Sequence, residues 1–129
     1  MPRRIMVVDD DPALLGFTSK YLSRLGYSVT SQRSSDEAWK QFSEPGASYA
    51  VVVIDVSLPG LSGMELSRLM LNANPEVRLV LTSGYPFDTQ KLVEAGANRI
   101  AFLHKPFTPA MLTETVDRLI QSAPEGHAD

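Results

Sequence analysis

Cysteine is absent from the 129-residue chain, which excludes disulfide staples, thiolate nucleophiles and every cysteine-based metal site. Histidine is scarce: His104 and His127 are too few and too far apart in sequence for a histidine-based zinc centre. An excess of positive charge is also missing. Twelve basic against fifteen acidic side chains leave a net charge of −3, which argues against a dedicated nucleic-acid binder with its basic face. No apolar run approaches the roughly 20 residues of a membrane span. The opening Met-Pro-Arg-Arg-Ile-Met-Val-Val-Asp is basic but meets an acidic cluster after four apolar residues, so it does not read as a signal peptide. These absences leave a soluble, cytoplasmic domain as the expectation.

What is present is a core. Apolar residues make up 43% of the chain and charged ones 21%, the balance of a globular protein. The length suits one domain, and folding at this size buries roughly two thirds of the unfolded chain's surface. Residues 1–122 are expected to form that domain, with 123–129 as a polar tail.

Apolar runs alternate with helical patterns along the chain. Ile5 to Val8 reads as a strand buried on both faces. Asp11 before Pro12 is an N-cap with proline at the first helical position; Leu15, Leu22 and Leu25 give that helix an apolar face, and Gly26 ends it. Tyr27 to Thr30 makes a short second strand. Ser34 with Glu37 forms a capping box for a helix whose buried face carries Ala38, Trp39 and Phe42, closed by Pro45-Gly46. Ala50 to Ile54 is the strongest strand and runs straight into Asp55. After the Pro59-Gly60 turn, Gly63 to Ala73 reads as a helix. Leu79 to Thr82 and Ala101 to Leu103 are the fourth and fifth strands, with a short helix over Asp88 to Ala95 between them. Thr108-Pro109 starts a last helix lined by Leu112, Val116, Leu119 and Ile120. The methionines inside the chain read as core filler. Five β-α units with buried strands imply an α/β fold, a doubly wound parallel sheet covered by helices on both faces.

Ligands of such sheets gather at the carboxyl ends of the strands. There the chain places Asp9 and Asp10 after the first strand, Asp55 after the third, Ser83 after the fourth and Lys105 before Pro106 after the fifth. Two carboxylates about 4 Å apart repel by roughly 4 kcal/mol at an effective dielectric of 20, so a cation must offset them. Hard oxygen ligands with room for water favour Mg²⁺ over a fully caged Ca²⁺. Magnesium beside a carboxylate and a lysine suits phosphoryl transfer, with Asp55 as nucleophile and Asp9 and Asp10 holding the metal.

The segments Val-Val-Asp9-Asp10-Asp11, Ile-Asp55-Val-Ser-Leu-Pro59-Gly60, Leu-Thr-Ser83-Gly84-Tyr and His-Lys105-Pro106-Phe107 resemble the signature of response-regulator receiver domains. The likeness covers about residues 4 to 121. It implies a strand order of 2-1-3-4-5 with about five helices, and a role as signalling phosphoacceptor rather than classical enzyme. Asp55 would take a phosphoryl group from a phosphohistidine on a histidine kinase or histidine phosphotransfer protein. Asp10 would be the direct Mg²⁺ ligand, Asp9 a ligand acting mainly through water, and the Ser57 carbonyl the backbone ligand. Lys105 would pair with a phosphoryl oxygen, across a cis Lys105–Pro106 peptide. Ser83 would be the switch hydroxyl, preferred over Thr82 because small Gly84 follows it, and Phe102 the switch aromatic. The wording around Ser83-Gly84-Tyr85-Pro86 and Phe102 to Phe107 looks most like receivers attached to hybrid histidine kinases.

Two departures from the family pattern concern the signalling face: 84–96 is short, and 96–105 is about two residues longer than that pattern. Partner binding or homodimerisation through the fourth helix, fifth strand and fifth helix is expected there, and Tyr85 is expected to screen the phosphorylated site partly from water. Asp11 reads as an N-cap and His104 as a surface residue. An aspartyl-nucleophile phosphatase of haloacid-dehalogenase type would need a second acid two residues after Asp55, where this chain has Ser57. A flavodoxin-like electron carrier would need a phosphate loop where three aspartates stand.

Overall fold

Four apolar runs become strands, and the largely polar Ser28–Gln32 segment joins them at the sheet edge. The computed structural model describes residues 3–58, 60–84 and 99–121. Strands β1 (Arg4–Val8), β2 (Ser28–Gln32), β3 (Val51–Asp55), β4 (Arg78–Ser83) and β5 (Ile100–His104) form one sheet of order β2-β1-β3-β4-β5. Every pairing is parallel. The described helices are α1 (Pro12–Arg24), α2 (Ser35–Phe42), α3 (Gly63–Ala73) and α4 (Pro109–Gln121). The helix expected over Asp88 to Ala95, Tyr85 and the 123–129 tail lie outside the described residues.

Strand alternation sorts the core into two halves. On one face Met6, Val8, Val52, Ile54, Leu79 and Leu81 pack with α2 and α3, through Ala38, Phe42, Leu66 and Met70. On the other, Ile5, Val7, Val51, Val53 and Val80 pack with α1 and α4, through Leu15, Leu22, Leu112 and Val116. All five residues of β3 are buried, which is why it reads as an unbroken apolar run and not as an alternation.

Local signals set the helix starts. Asp11 accepts from the backbone N–H of Ala13 (3.0 Å) and Leu14 (3.4 Å), with Pro12 opening α1. Ser34 and Ser62 accept from Glu37 and Glu65 N–H, each at 3.2 Å, and Thr108 Oγ1 from Met111 N–H at 3.1 Å. Each such cap is worth about 1 kcal/mol. Gly26, with φ of +99°, turns the chain out of α1 in a conformation that other residues resist.

Two expected core residues face water. Leu25 is 47% exposed because it caps α1 beyond the last helical turn, where the chain swings toward β2. Met111 is 42% exposed because Leu112, Val116 and Leu119 occupy the core-facing stripe of α4, and the preceding position is rotated off it. Met6 and Met70 are fully buried, as expected of core filler.

Tyr27 ties the start of β2 to the last helix. Its ring packs against the α1–α4 side of the core and its hydroxyl donates to Asp117 Oδ1 at 2.6 Å. Burial, with the hydrogen bond to Asp117 adding to it, pushes the phenol up to about 12 from 10.0. The folded state therefore holds this proton more tightly, so the contribution is complete below pH 10 and lost as pH rises through about 12. Tyr27→Phe is expected to lose about 1 kcal/mol in urea denaturation at neutral pH. In an alkaline absorbance titration, the latest-ionising phenol of the wild type should be missing from the variant.

Candidate functional site

Parallel pairing brings the ends of β1 and β3 side by side, since Val8 is in register with Ile54. The next residue on each strand is a carboxylate, Asp9 and Asp55. Both are oriented by the same local device, a side-chain oxygen accepting from the N–H two residues on. Asp9 Oδ1 accepts from Asp11 N–H at 2.9 Å, and Asp55 Oδ1 from Ser57 N–H at 3.0 Å. The Ser57 hydroxyl adds a second bond to Asp55 Oδ1, at 2.9 Å.

The remaining oxygens face one cation. Lys105 Nζ lies 3.0 Å from Asp9 Oδ2 and 3.1 Å from Asp55 Oδ2. Lys105 is carried there by the end of β5, where its backbone N–H donates to the Ser83 carbonyl at 2.8 Å. The Lys105–Pro106 peptide is cis, as the family likeness implies. Asp9 and Asp55 are 5% and 2% exposed, whereas Asp10 is open to solvent.

Burial sets the electrostatics. Desolvation raises the Asp9 carboxyl above the ordinary aspartate range; the Asp11 N–H and Lys105 oppose that rise, and the neighbouring Asp55 charge reinforces it. Desolvation alone would lower the Lys105 ammonium, but its bonds and charge attraction to Asp9 and Asp55 outweigh burial and hold it above the ordinary lysine value.

Ligand oxygens of Asp9, Asp10 and Asp55 lie within 4.8 Å of one another. Three hard donors at that spacing, one of them facing water, fit a small divalent cation that keeps part of its hydration shell. Of the residues read from the sequence, Asp9, Asp10, Asp55 and Lys105 thus converge. Ser57 also lies at the site, though through its N–H and hydroxyl as well as its position in the loop. Ser83 is fully buried at the end of β4, and its carbonyl anchors Lys105. Phe102, in register with Leu81, is partly buried against the α2–α3 core. His104 is exposed, as expected.

Two contributors escaped the sequence reading. The Ser57 side chain was legible only as the missing acid of another enzyme class. Gly63 opens α3 directly under the β3 end. A Cβ there would fall against the Asp55 carbonyl oxygen and 2.5 Å from Val56 Cα, so only glycine lets the helix support the Asp55 loop so closely. A Gly three residues after the Pro59-Gly60 turn was the available signal.

Residues 5–117 match the family model described as response regulator receiver domain. Protein PetR of Rhodobacter capsulatus is 32% identical over 125 residues, covering 96% of this chain and 51% of that protein. Sensor kinase CckA of Brucella abortus is 30% identical over 117 residues, 91% of this chain and 12% of that protein. The chain thus spans about half or less of the length of these curated relatives. The CheY-like response regulator receiver domain protein from Methanospirillum hungatei superposes with a TM-score of 0.87 at 25% identity, covering 98% of this chain and 99% of that one.

The raised Asp9 carboxyl makes its ionisation a cost to folding when no divalent ion is present. That cost is absent below pH 3.8, where Asp9 is protonated in both states, and grows as pH rises through the folded-state value. In chelator, Asp9→Asn is expected to be more stable than wild type by roughly 1 kcal/mol at pH 7. The gain should shrink toward zero near pH 4, read from urea midpoints at both pH values.

Proposed function

The chain belongs to the response regulator receiver family, a signalling phosphoacceptor of two-component systems and not a classical enzyme, and from that premise we propose how its own residues carry the chemistry. The observation that carries the reading is Lys105 bridging the two buried carboxylates at adjacent strand ends.

An Asp55 carboxylate oxygen attacks the phosphorus of a phosphohistidine on a histidine kinase or phosphotransfer partner. The P–O bond to Asp55 forms as the P–N bond breaks, and its electron pair leaves with the imidazole nitrogen. Asp9, Asp10 and the Ser57 carbonyl, with Asp55, are the residues to hold Mg²⁺, which supplies charge neutralisation for the phosphoryl oxygens. Lys105 moves from its two carboxylates onto one of those oxygens, so the cation already in the buried site serves the phosphoryl group. Ser57 must release Asp55 Oδ1 if that oxygen is the one used, so its two donors steer which oxygen attacks. Family membership places the partners among histidine kinases and phosphotransfer proteins. None of the described helices is long and apolar enough to cross a membrane, which agrees with work in the cytoplasm. We assign the receiver unit to residues 1–122 and the remainder to a tail.

The output follows from the added charge. Phosphorylated Asp55 carries about −2 charge where the carboxylate carried −1, together with three phosphoryl acceptor oxygens. Ser83 turns its hydroxyl toward them, drawing the end of β4 inward, and Phe102 on the neighbouring strand moves further into the core. Coupling of this kind is typically worth 1–3 kcal/mol. The surface altered is that of β5 and α4, where a homodimer or partner docks. The haloacid-dehalogenase alternative is not favoured: where its proton donor would stand, Ser57 donates to Asp55.

Treatment with acetyl phosphate and Mg²⁺ is expected to add one phosphate by intact mass, acid-stable and base-labile, and none to Asp55→Asn. Addition to the variant, or none to wild type by any donor, counts against the assignment. Beryllofluoride, a phosphoryl mimic, is expected to shift the NMR signals of Ser83, Phe102 and β5. Shifts confined to the acidic rim would refute the switch and leave the phosphoacceptor chemistry standing.

A further inference from the structure

The amino ends of the strands, opposite the acidic rim, carry a second constellation. Arg3 precedes β1, Arg4 starts it and Arg78 starts β4, and Val51 of β3 pairs with Arg78 on one side and with Ile5, next to Arg4, on the other. Together with Ser48, Tyr49 and Asn74 they line a cavity of about 400 Å³, and Glu76 is the one acidic residue on its wall. Among the described residues none of these three arginines forms an ion pair. Arg99, one residue before the β5 partner of Leu79, extends the same rim, and its buried Nε has no hydrogen-bond partner among the described residues. A chain of net charge −3 thus places four of its eight arginines at the amino ends of these strands.

A second cavity of about 400 Å³ adjoins the first, between α2 and α3, and shares Tyr49 and Asn74 with it. Trp39, Phe42, Ala47 and Ala73 give it apolar walls, and Ser43 and Asn74 give it polar ones. Its rings form a ladder that leads into the arginines. Trp39 and Phe42 stack at 6.1 Å between centroids, Phe42 and Tyr49 at 6.1 Å, and the Arg4 guanidinium sits 4.8 Å over the Tyr49 ring. The Tyr49 hydroxyl accepts from Arg4 at 3.5 Å, which holds that guanidinium at the junction of the two cavities.

We propose that this end of the sheet binds a purine nucleoside diphosphate, its base in the α2–α3 cleft and its phosphates on Arg3, Arg4 and Arg78. The two cavities present the two halves of that ligand in contact: an aromatic-walled slot with Asn74 and Ser43 for polar edges, and a cluster of planar donors matched to phosphate oxygens. Like-charged guanidiniums repel one another, and a diphosphate offsets that repulsion at a wall where three arginines meet one glutamate. The site lies a strand's length from Asp55, roughly 15 Å, so it is independent of the phosphoacceptor chemistry.

Trp39 is the only tryptophan, so its fluorescence reads the cleft directly. The full chain is titrated with ADP in chelator, so that no divalent ion links the ligand to the acidic rim, and binding heat is measured in parallel. The expected result is saturable quenching of Trp39 with matching heat, weakened about tenfold by Arg78→Gln, with adenosine and pyrophosphate each binding more weakly than ADP. Absence of both signals at millimolar ADP overturns the proposal. Undiminished binding to an Arg3→Gln, Arg78→Gln double variant overturns it as well. Adenosine binding as well as ADP overturns the arginine half, and pyrophosphate binding as well as ADP overturns the aromatic half. Since Asp55 takes no part, loss of this binding and loss of phosphorylation are separately visible.

Discussion

One ammonium holds the carboxyl end of the sheet together. Asp9 and Asp55 are both buried, and two neighbouring carboxylates out of water are tolerable only with a cation between them. Lys105 provides it, at 3.0 and 3.1 Å, from a strand 50 residues further along the chain than Asp55. The bridge therefore fixes the ends of β1, β3 and β5 relative to one another. It also stores the charge that a phosphoryl group would need, because the same Nζ is free to change partners without leaving the site.

The backbone around that bridge is built to keep it from drifting. Asp9 and Asp55 are each pinned by an N–H two residues on, so each has one oxygen committed locally and one turned to Lys105. Val56 N–H donates to the Thr82 carbonyl at 2.9 Å and Lys105 N–H to the Ser83 carbonyl at 2.8 Å, which lock the β3 and β5 ends onto β4. Gly63 lets α3 press on the Asp55 loop from below. The end of β4 is consequently in backbone contact with both the Asp55 loop and the Lys105 segment.

Charge is distributed by strand polarity. Asp9, Asp10 and Asp55 stand at the carboxyl ends, and Arg3, Arg4 and Arg78 at the amino ends, with the two apolar half-cores between them. Helices returning from the acidic rim end near the basic one, so the cleft between α2 and α3 opens beside Arg4 and Tyr49. The acidic end reads as the place for a cation and a phosphoryl group, the basic end as the place for an anion.

Much of this was determined by the sequence alone. Continuous apolar runs at 5–8, 50–54 and 79–82 require cover on both faces, and caps at Asp11, Ser34 and Thr108 start helices between them, so a parallel α/β sheet follows from local physics. Placing Asp9, Asp10, Asp55 and Lys105 on one rim needs only the rule that strand ends in such a sheet share an edge. The strand order came from the family likeness, since periodicity cannot say which strands are neighbours. Tertiary structure decided what short-range pattern does not encode: that Leu25 and Met111 face water, and that Gly63 sits against Asp55. It also decided that the Ser57 hydroxyl binds the nucleophile, and that Trp39, Phe42, Tyr49 and Arg4 stack into one ladder. The reason is the same in each case. Burial, close approach and pairing between distant residues depend on how elements pack, and residues such as Arg4 and Tyr49, 45 positions apart, become neighbours only when the sheet closes around them.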